Sequence, residues 1–117
     1  MDKHIKKRWL EALRSDRYSQ CTERLTNGKG FCCLGVLCNL HALETGNTWS
    51  ERFRNKNRNG IHYLNVNGTL PSVVVTWAKL DSDDPIPKNR YSIESLSELN
   101  DCGMTFKQIA DIIDVGL

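Results

Sequence analysis

The chain has 117 residues and a mass of 13.4 kDa, which is one domain, residues 1–117, with no room for a second. Hydrophobic residues at 39% and charged residues at 26% exclude collagen-like and wholly disordered classes. The net charge of +2 conceals opposed halves: residues 1–60 hold 12 Lys/Arg against 6 Asp/Glu, and residues 61–117 hold 4 against 8. That asymmetry suits an anionic ligand or head-to-tail self-association, while a pI of 8.3 is too modest for a dedicated nucleic-acid binder.

Asp2 is placed to cap a first helix running to about Ser15, with Ile5, Trp9, Leu10 and Leu13 on one face and Lys6, Lys7, Arg8, Glu11 and Arg14 on or beside the other. Asn27-Gly-Lys-Gly reads as the turn of a hairpin formed by about Thr22–Thr26 and Gly30–Cys32, because Asn-Gly supplies the positive φ of a type I′ turn. From Cys33 the chain is apolar almost throughout until Gly46, the pattern of a buried helix stopped by glycine. Gly35 inside that helix costs about 1 kcal/mol relative to Ala, which close backbone approach would justify. Residues 46–60 form a basic, Asn-rich loop, with Arg52–Arg58 either closing on an anion or simply solvated.

Ile61–Val66 reads as a strand turned by Asn67-Gly68, which with Thr69 also spells a glycosylation sequon. The segment Leu70–Leu80 is read as a helix with Pro71 at its first position, followed by an acidic loop at Asp81–Asp84. Arg90–Ile93 is a second candidate strand. A short helix from about Ser95 to Asp101 ends before Gly103, and Thr105 with Gln108 offers a capping box for a last helix to about Asp114. Phe106, Ile109, Ala110 and Ile113 give that helix its apolar stripe. The expected fold is α+β: four or five helices with a small antiparallel sheet or hairpin.

Enzyme motifs are missing: there is no Gly-x-Ser-x-Gly elbow, no His-Glu-x-x-His, and no Walker or dinucleotide fingerprint. Cys21, Cys32, Cys33, Cys38 and Cys102 make an odd set without a Cys-x-x-Cys pair, and Cys32, Cys33, Cys38 and His41 fit zinc spacing poorly. The start of the chain lacks the apolar region of a signal peptide, and no apolar run reaches membrane-spanning length. A reduced, intracellular protein whose cysteines pack as small hydrophobes follows. A Cys38–His41 nucleophile pair and magnesium on Asp81, Asp83 and Asp84 are the weaker chemical readings. No cofactor, metal or membrane partner is expected.

Ligand binding has better material. Arg14, Arg17 and Arg24 can fork to phosphates, Tyr18 and Trp49 can stack on bases, and Gln20, Asn100 and Asp101 can read base edges.

Three segments carry a resemblance: Trp9–Ser15 with Tyr18 and Gln20, Phe31-Cys-Cys-Leu-Gly-Val-Leu-Cys-Asn-Leu, and Leu99-Asn-Asp-Cys-Gly-Met-Thr-Phe with Ile109-Ala-Asp. With Leu70-Pro and Trp77-Ala between them, the chain resembles a widespread family of small tailed-bacteriophage proteins along nearly its whole length. Cys21 departs from the glycine expected after the glutamine. Proteins of this kind include sponges that sequester cyclic-nucleotide signals of the CBASS defence system, and this family is similar to one of them. The resemblance implies a non-enzymatic nucleotide binder in the host bacterial cytoplasm, acting as a homo-oligomer with shared pockets. A host-takeover module that binds a bacterial protein, supported by the opposed charges, and a small nucleic-acid binder are the rival readings.

Overall fold

The computed structural model describes residues 1–53, 59–88 and 93–117, with the side chains of residues 51–53 and 59 left aside. The architecture is mostly helical, with five helices and one two-stranded antiparallel ribbon among the described residues, so α+β holds only loosely.

Helix α1 (Lys3–Arg14) starts where Asp2 accepts hydrogen bonds from the His4 and Ile5 amides. Its buried stripe is Ile5, Trp9, Leu10, Ala12 and Leu13. Helix α2 (Cys33–Thr45) is the centre of the core, with nine of its residues buried. A helix apolar on every side must be wrapped, and α1, α3 (Ser72–Ala78) and α4 (Leu96–Asp101) pack against it. Helix α5 (Phe106–Gly116) closes the bundle against α1 and α4. Capping boxes at Ser95/Glu98 and Thr105/Gln108 start α4 and α5.

Glycine decides the geometry of α2 twice. Gly46 ends the helix with φ +77°, a left-handed position that glycine takes without a Cβ penalty. Gly35 lies against the Leu25 carbonyl, and a Cβ built there would sit far inside van der Waals contact with that oxygen. The close approach expected from the sequence is thus a backbone contact between α2 and the loop before it.

The hairpin expected over residues 22–26 and 30–32 is not formed. Its pairing shrinks to an isolated antiparallel bridge between Thr26 and Phe31. Glu23, at φ +69°, breaks any strand there, and the backbone turns to other partners: Leu25 N–H donates to Asn67 O, and Phe31 N–H to Ser19 O. A turn is kept at residues 27–30, with Asn27 Oδ1 accepting from the Lys29 and Gly30 amides, but only Gly28 takes positive φ, so it is not the type I′ turn expected.

The ribbon lies further along, where β1 (Ser50–Phe53) pairs with β2 (Asn59–His62), Ser50 opposite His62. The strand expected at residues 61–66 therefore begins earlier and ends at His62. Leu64 and Asn65 take φ +47° and +75° in a tight turn between Tyr63 and Val66, ahead of the Asn67-Gly68 turn expected. Pro71 occupies the N-cap of α3 instead of its first position. The Arg90–Ile93 candidate strand lies mostly outside the described residues, as does most of the Arg52–Arg58 loop. Among the described residues no helix is long and apolar enough to cross a membrane.

Replacing Gly35 with Ala is expected to destabilise the protein by about 3 kcal/mol, because backbone, unlike a side chain, cannot rotate out of the way. Urea unfolding of G35A, compared with G46A as a milder strain at an exposed site, measures it.

Candidate functional site

The eight residues singled out for ligand binding do not form one site. Gln20, Asn100 and Asp101 do meet, but they serve the fold. Asn100 is fully buried at the N-terminus of α2, where its Oδ1 accepts from the Cys33 amide at 3.1 Å and from Gln20 Nε2 at 2.9 Å. Its Nδ2 donates to Cys21 O at 2.8 Å and to Asp101 Oδ1 at 3.3 Å. All four hydrogen-bonding positions of the amide are thereby used. Gln20 also donates to Met104 O and accepts from the Phe106 amide at the start of α5. Asp101 accepts from the Glu23 amide. Asn100 has no hydrogen-bonding position left to read a base edge, whereas Gln20 and Asp101 are exposed at the rim of the same network.

Arg14 belongs to a second group. It pairs with Asp111 at 2.8 Å and with Asp114 at 3.5 Å on α5. Lys6 Nζ donates to Asp114 O, and Lys107 pairs with Asp16 at 3.3 Å. The opposed charges of the two halves therefore meet partly inside one molecule. Arg24 is exposed, and its backbone carbonyl accepts from Cys21 Sγ.

The third group is an aromatic cluster over α2. Tyr18 meets Phe31 edge-on at 5.4 Å, Phe31 meets Trp49 at 5.6 Å, and Trp49 lies 4.9 Å from Tyr63. Trp49 is thus already engaged with protein rings, and its Nε1 donates to Asn39 Oδ1 at 3.1 Å. Asn39 Nδ2 in turn donates to Tyr18 Oη at 3.0 Å. On the other side of the cluster, His41 Nδ1 bonds Tyr63 Oη at 2.6 Å, and Trp77 packs on the imidazole at 4.9 Å. Trp77 Nε1 donates to Glu44, which also pairs with Arg8 at 2.9 Å.

Arg17 and Tyr18 are brought together at an open groove between α1 and α2. The chain leaves α1 through Asp16 at φ +62°, a conformation aspartate tolerates better than most residues, and this carries Arg17 and Tyr18 toward α2. The groove measures about 360 Å³ and is lined by Arg8, Glu11, Ala12, Arg17, Tyr18, Leu40 and Leu43. Its floor is apolar and its rim offers two guanidinium groups, a carboxylate and a phenol. Leu43 is 71% exposed, a large apolar surface left uncovered in this chain. Arg8, Asn39 and Leu43 were missed in the sequence, although Asn39 is a conspicuous polar residue within the apolar run of α2.

The cysteine alternatives do not assemble. Among the described residues no group of three or more His, Cys, Asp or Glu side chains could hold a metal ion. Cys32 Sγ accepts from the Gly35 amide as the cap of α2, and Cys33 donates to Leu96 O. Burial pushes the Cys32 thiol up to about 11 and those of Cys33 and Cys38 well above the ordinary range, so they stay neutral and unreactive. Among the described residues no imidazole is recorded against Cys38, and His41 Nδ1 is bonded to Tyr63. In the acidic loop, Asp83 accepts from Thr69 Oγ1, and Asp84 accepts from the Ser97 amide and hydroxyl near the start of α4.

The sequence profile of a domain of unknown function (DUF8296) matches residues 1–117. No curated protein and no solved structure matches the chain.

Two outcomes follow from this geometry. Asn100→Ala would strand the Cys33 amide and the Cys21 carbonyl in the core and is expected to cost about 3 kcal/mol, read by chemical denaturation. Burial lowers the pKa of His41 below its ordinary 6.5, against a smaller upward pull from Glu44. The unfolded chain then binds a proton first, so the stability due to neutral His41 is present above 6.5 and is lost as pH falls through the folded-state value. Urea unfolding at about pH 7.5 and about pH 5.5 should show the decline, and His41→Gln should flatten it.

Proposed function

The chain belongs to this DUF8296 family, and we propose that it is a non-enzymatic binder of a small nucleotide, acting by capture instead of turnover, as a sponge for a cyclic-nucleotide immune signal does. The observation that carries the reading is the α1–α2 groove, which sets Arg8, Arg17 and Tyr18 around an apolar floor of Ala12, Leu40 and Leu43. Guanidinium forks suit phosphate oxygens, and an aromatic ring beside an apolar floor suits a base.

At about 360 Å³ the groove lies at the lower end of ligand-pocket sizes, room for one nucleotide unit. A cyclic dinucleotide would then be held between two copies of the chain, each giving one groove, with exposed Leu43 covered at the junction. In this role the protein works at about nanomolar affinity, roughly −12 kcal/mol, because it must outcompete a receptor. A phage origin and a site of action in the host cytoplasm belong to the same proposal.

A thermal-shift screen against linear and cyclic nucleotides tests it. A cognate ligand at 100 times its dissociation constant adds about 2.7 kcal/mol of stability, and it is recovered intact after denaturation. Arg17→Glu is expected to weaken binding by at least about tenfold without lowering the melting temperature of the free protein, since Arg17 is exposed and its side chain has no recorded ion pair among the described residues. No shift with any nucleotide, or recovery of a cleaved ligand, overturns the proposal.

A further inference from the structure

Three side chains, Tyr18 in the groove wall with Asn39 and Trp49 behind it, form a hydrogen-bond chain that runs in one direction. Indole nitrogen can only donate, so Trp49 Nε1, at 3.1 Å, fixes the oxygen of the Asn39 amide on its own side. The Asn39 amide nitrogen is thereby turned to Tyr18 Oη, 3.0 Å away, to which it donates. A phenol has one proton, and an oxygen that receives the Asn39 donor must point that proton elsewhere. Among the described residues no acceptor is recorded for it, and Tyr18 lines the groove beside Arg8 and Arg17.

Resting on the nucleotide reading above, we infer that Tyr18 is the residue that fixes the ligand's orientation, its hydroxyl donating to a phosphate oxygen held between Arg8 and Arg17. The apolar body of the ligand then lies over Ala12, Leu40 and Leu43. A donor whose direction is set by a half-buried amide costs little ordering on binding, and it rejects any group that cannot accept a hydrogen bond. Trp49 and Asn39 act through Tyr18 as positioning residues. Neither lines the groove.

Isothermal titration of the full chain with AMP, adenosine and inorganic pyrophosphate tests the assignment. Tyr18→Phe is expected to weaken AMP and pyrophosphate roughly ten- to a hundredfold, the range of one hydrogen bond to a charged group, and to leave adenosine unchanged. Asn39→Asp replaces the donor with an acceptor, so the phenol proton turns inward. This variant should lose AMP affinity as well, and adding Tyr18→Phe to it should then cost nothing further. That non-additivity is a readout that a merely structural Tyr18 would not produce.

AMP and pyrophosphate binding untouched by Tyr18→Phe overturns the inference and leaves the nucleotide reading standing. Pyrophosphate binding that depends on Tyr18, without AMP binding, supports the phosphate assignment and overturns the nucleotide reading. A wild-type chain that binds neither overturns both.

Discussion

A single buried amide, that of Asn100, is the junction on which the rest of the structure depends. It lies where the start of α2, the end of α4 and the Cys21 loop converge, and its four hydrogen bonds satisfy groups from each. Through Gln20 the same network reaches the first amide of α5. Helix N-termini leave unsatisfied N–H groups, and burying the start of α2 without a partner would be prohibitive. Cys32 and Asn100 supply that partner from two directions, one local and one distant. With its start satisfied, α2 can be apolar on nearly every side and still sit at the centre.

The same logic governs the other polar groups on α2. Asn39 and His41 would each be a liability in an apolar helix, yet Asn39 spans Tyr18 and Trp49, and His41 is held by Tyr63. The aromatic cluster is therefore organised from below by two polar residues of one helix. Its ring contacts leave Trp49 committed to the protein, while Tyr18 stands at the edge where cluster and groove meet.

The helices were legible in the sequence because each carries its own local signals. Asp2 and Thr105 mark starts, Gly46 marks a stop, and the spacing of Ile5, Trp9 and Leu13 or of Phe106, Ile109 and Ile113 marks the buried faces. The hairpin and the strand boundary were misread for one shared reason. Glu23, Leu64 and Asn65 adopt positive φ, and a glutamate or leucine announces no such conformation. The site was half legible. Gln20, Asn100 and Asp101 are residues that form directed hydrogen bonds, and they do, but composition cannot tell an internal partner from a ligand. Arg14 was read as free because Asp111 and Asp114 lie almost a chain length away. Arg17 and Tyr18 line the α1–α2 groove, while Arg14 lines a separate cavity beside Asp114, and the groove neighbours Arg8 and Leu43 come from helix faces that sequence spacing treats as ordinary surface.

The Asn100 junction also sets an order of events. Cys33 and Asn100 are 67 positions apart, and Gln20 and Phe106 are 86 apart. On a growing polypeptide the central helix is made early, but its exposed amide must wait until nearly the last helix has left the ribosome. Until then the most apolar segment of the molecule has no lid over its first turn. Such delayed closure slows folding and lengthens the time in which sticky surface is on view. The last quarter of the chain thus works as a latch, and a protein cut short before it is left as an aggregation-prone core instead of a smaller version of the fold.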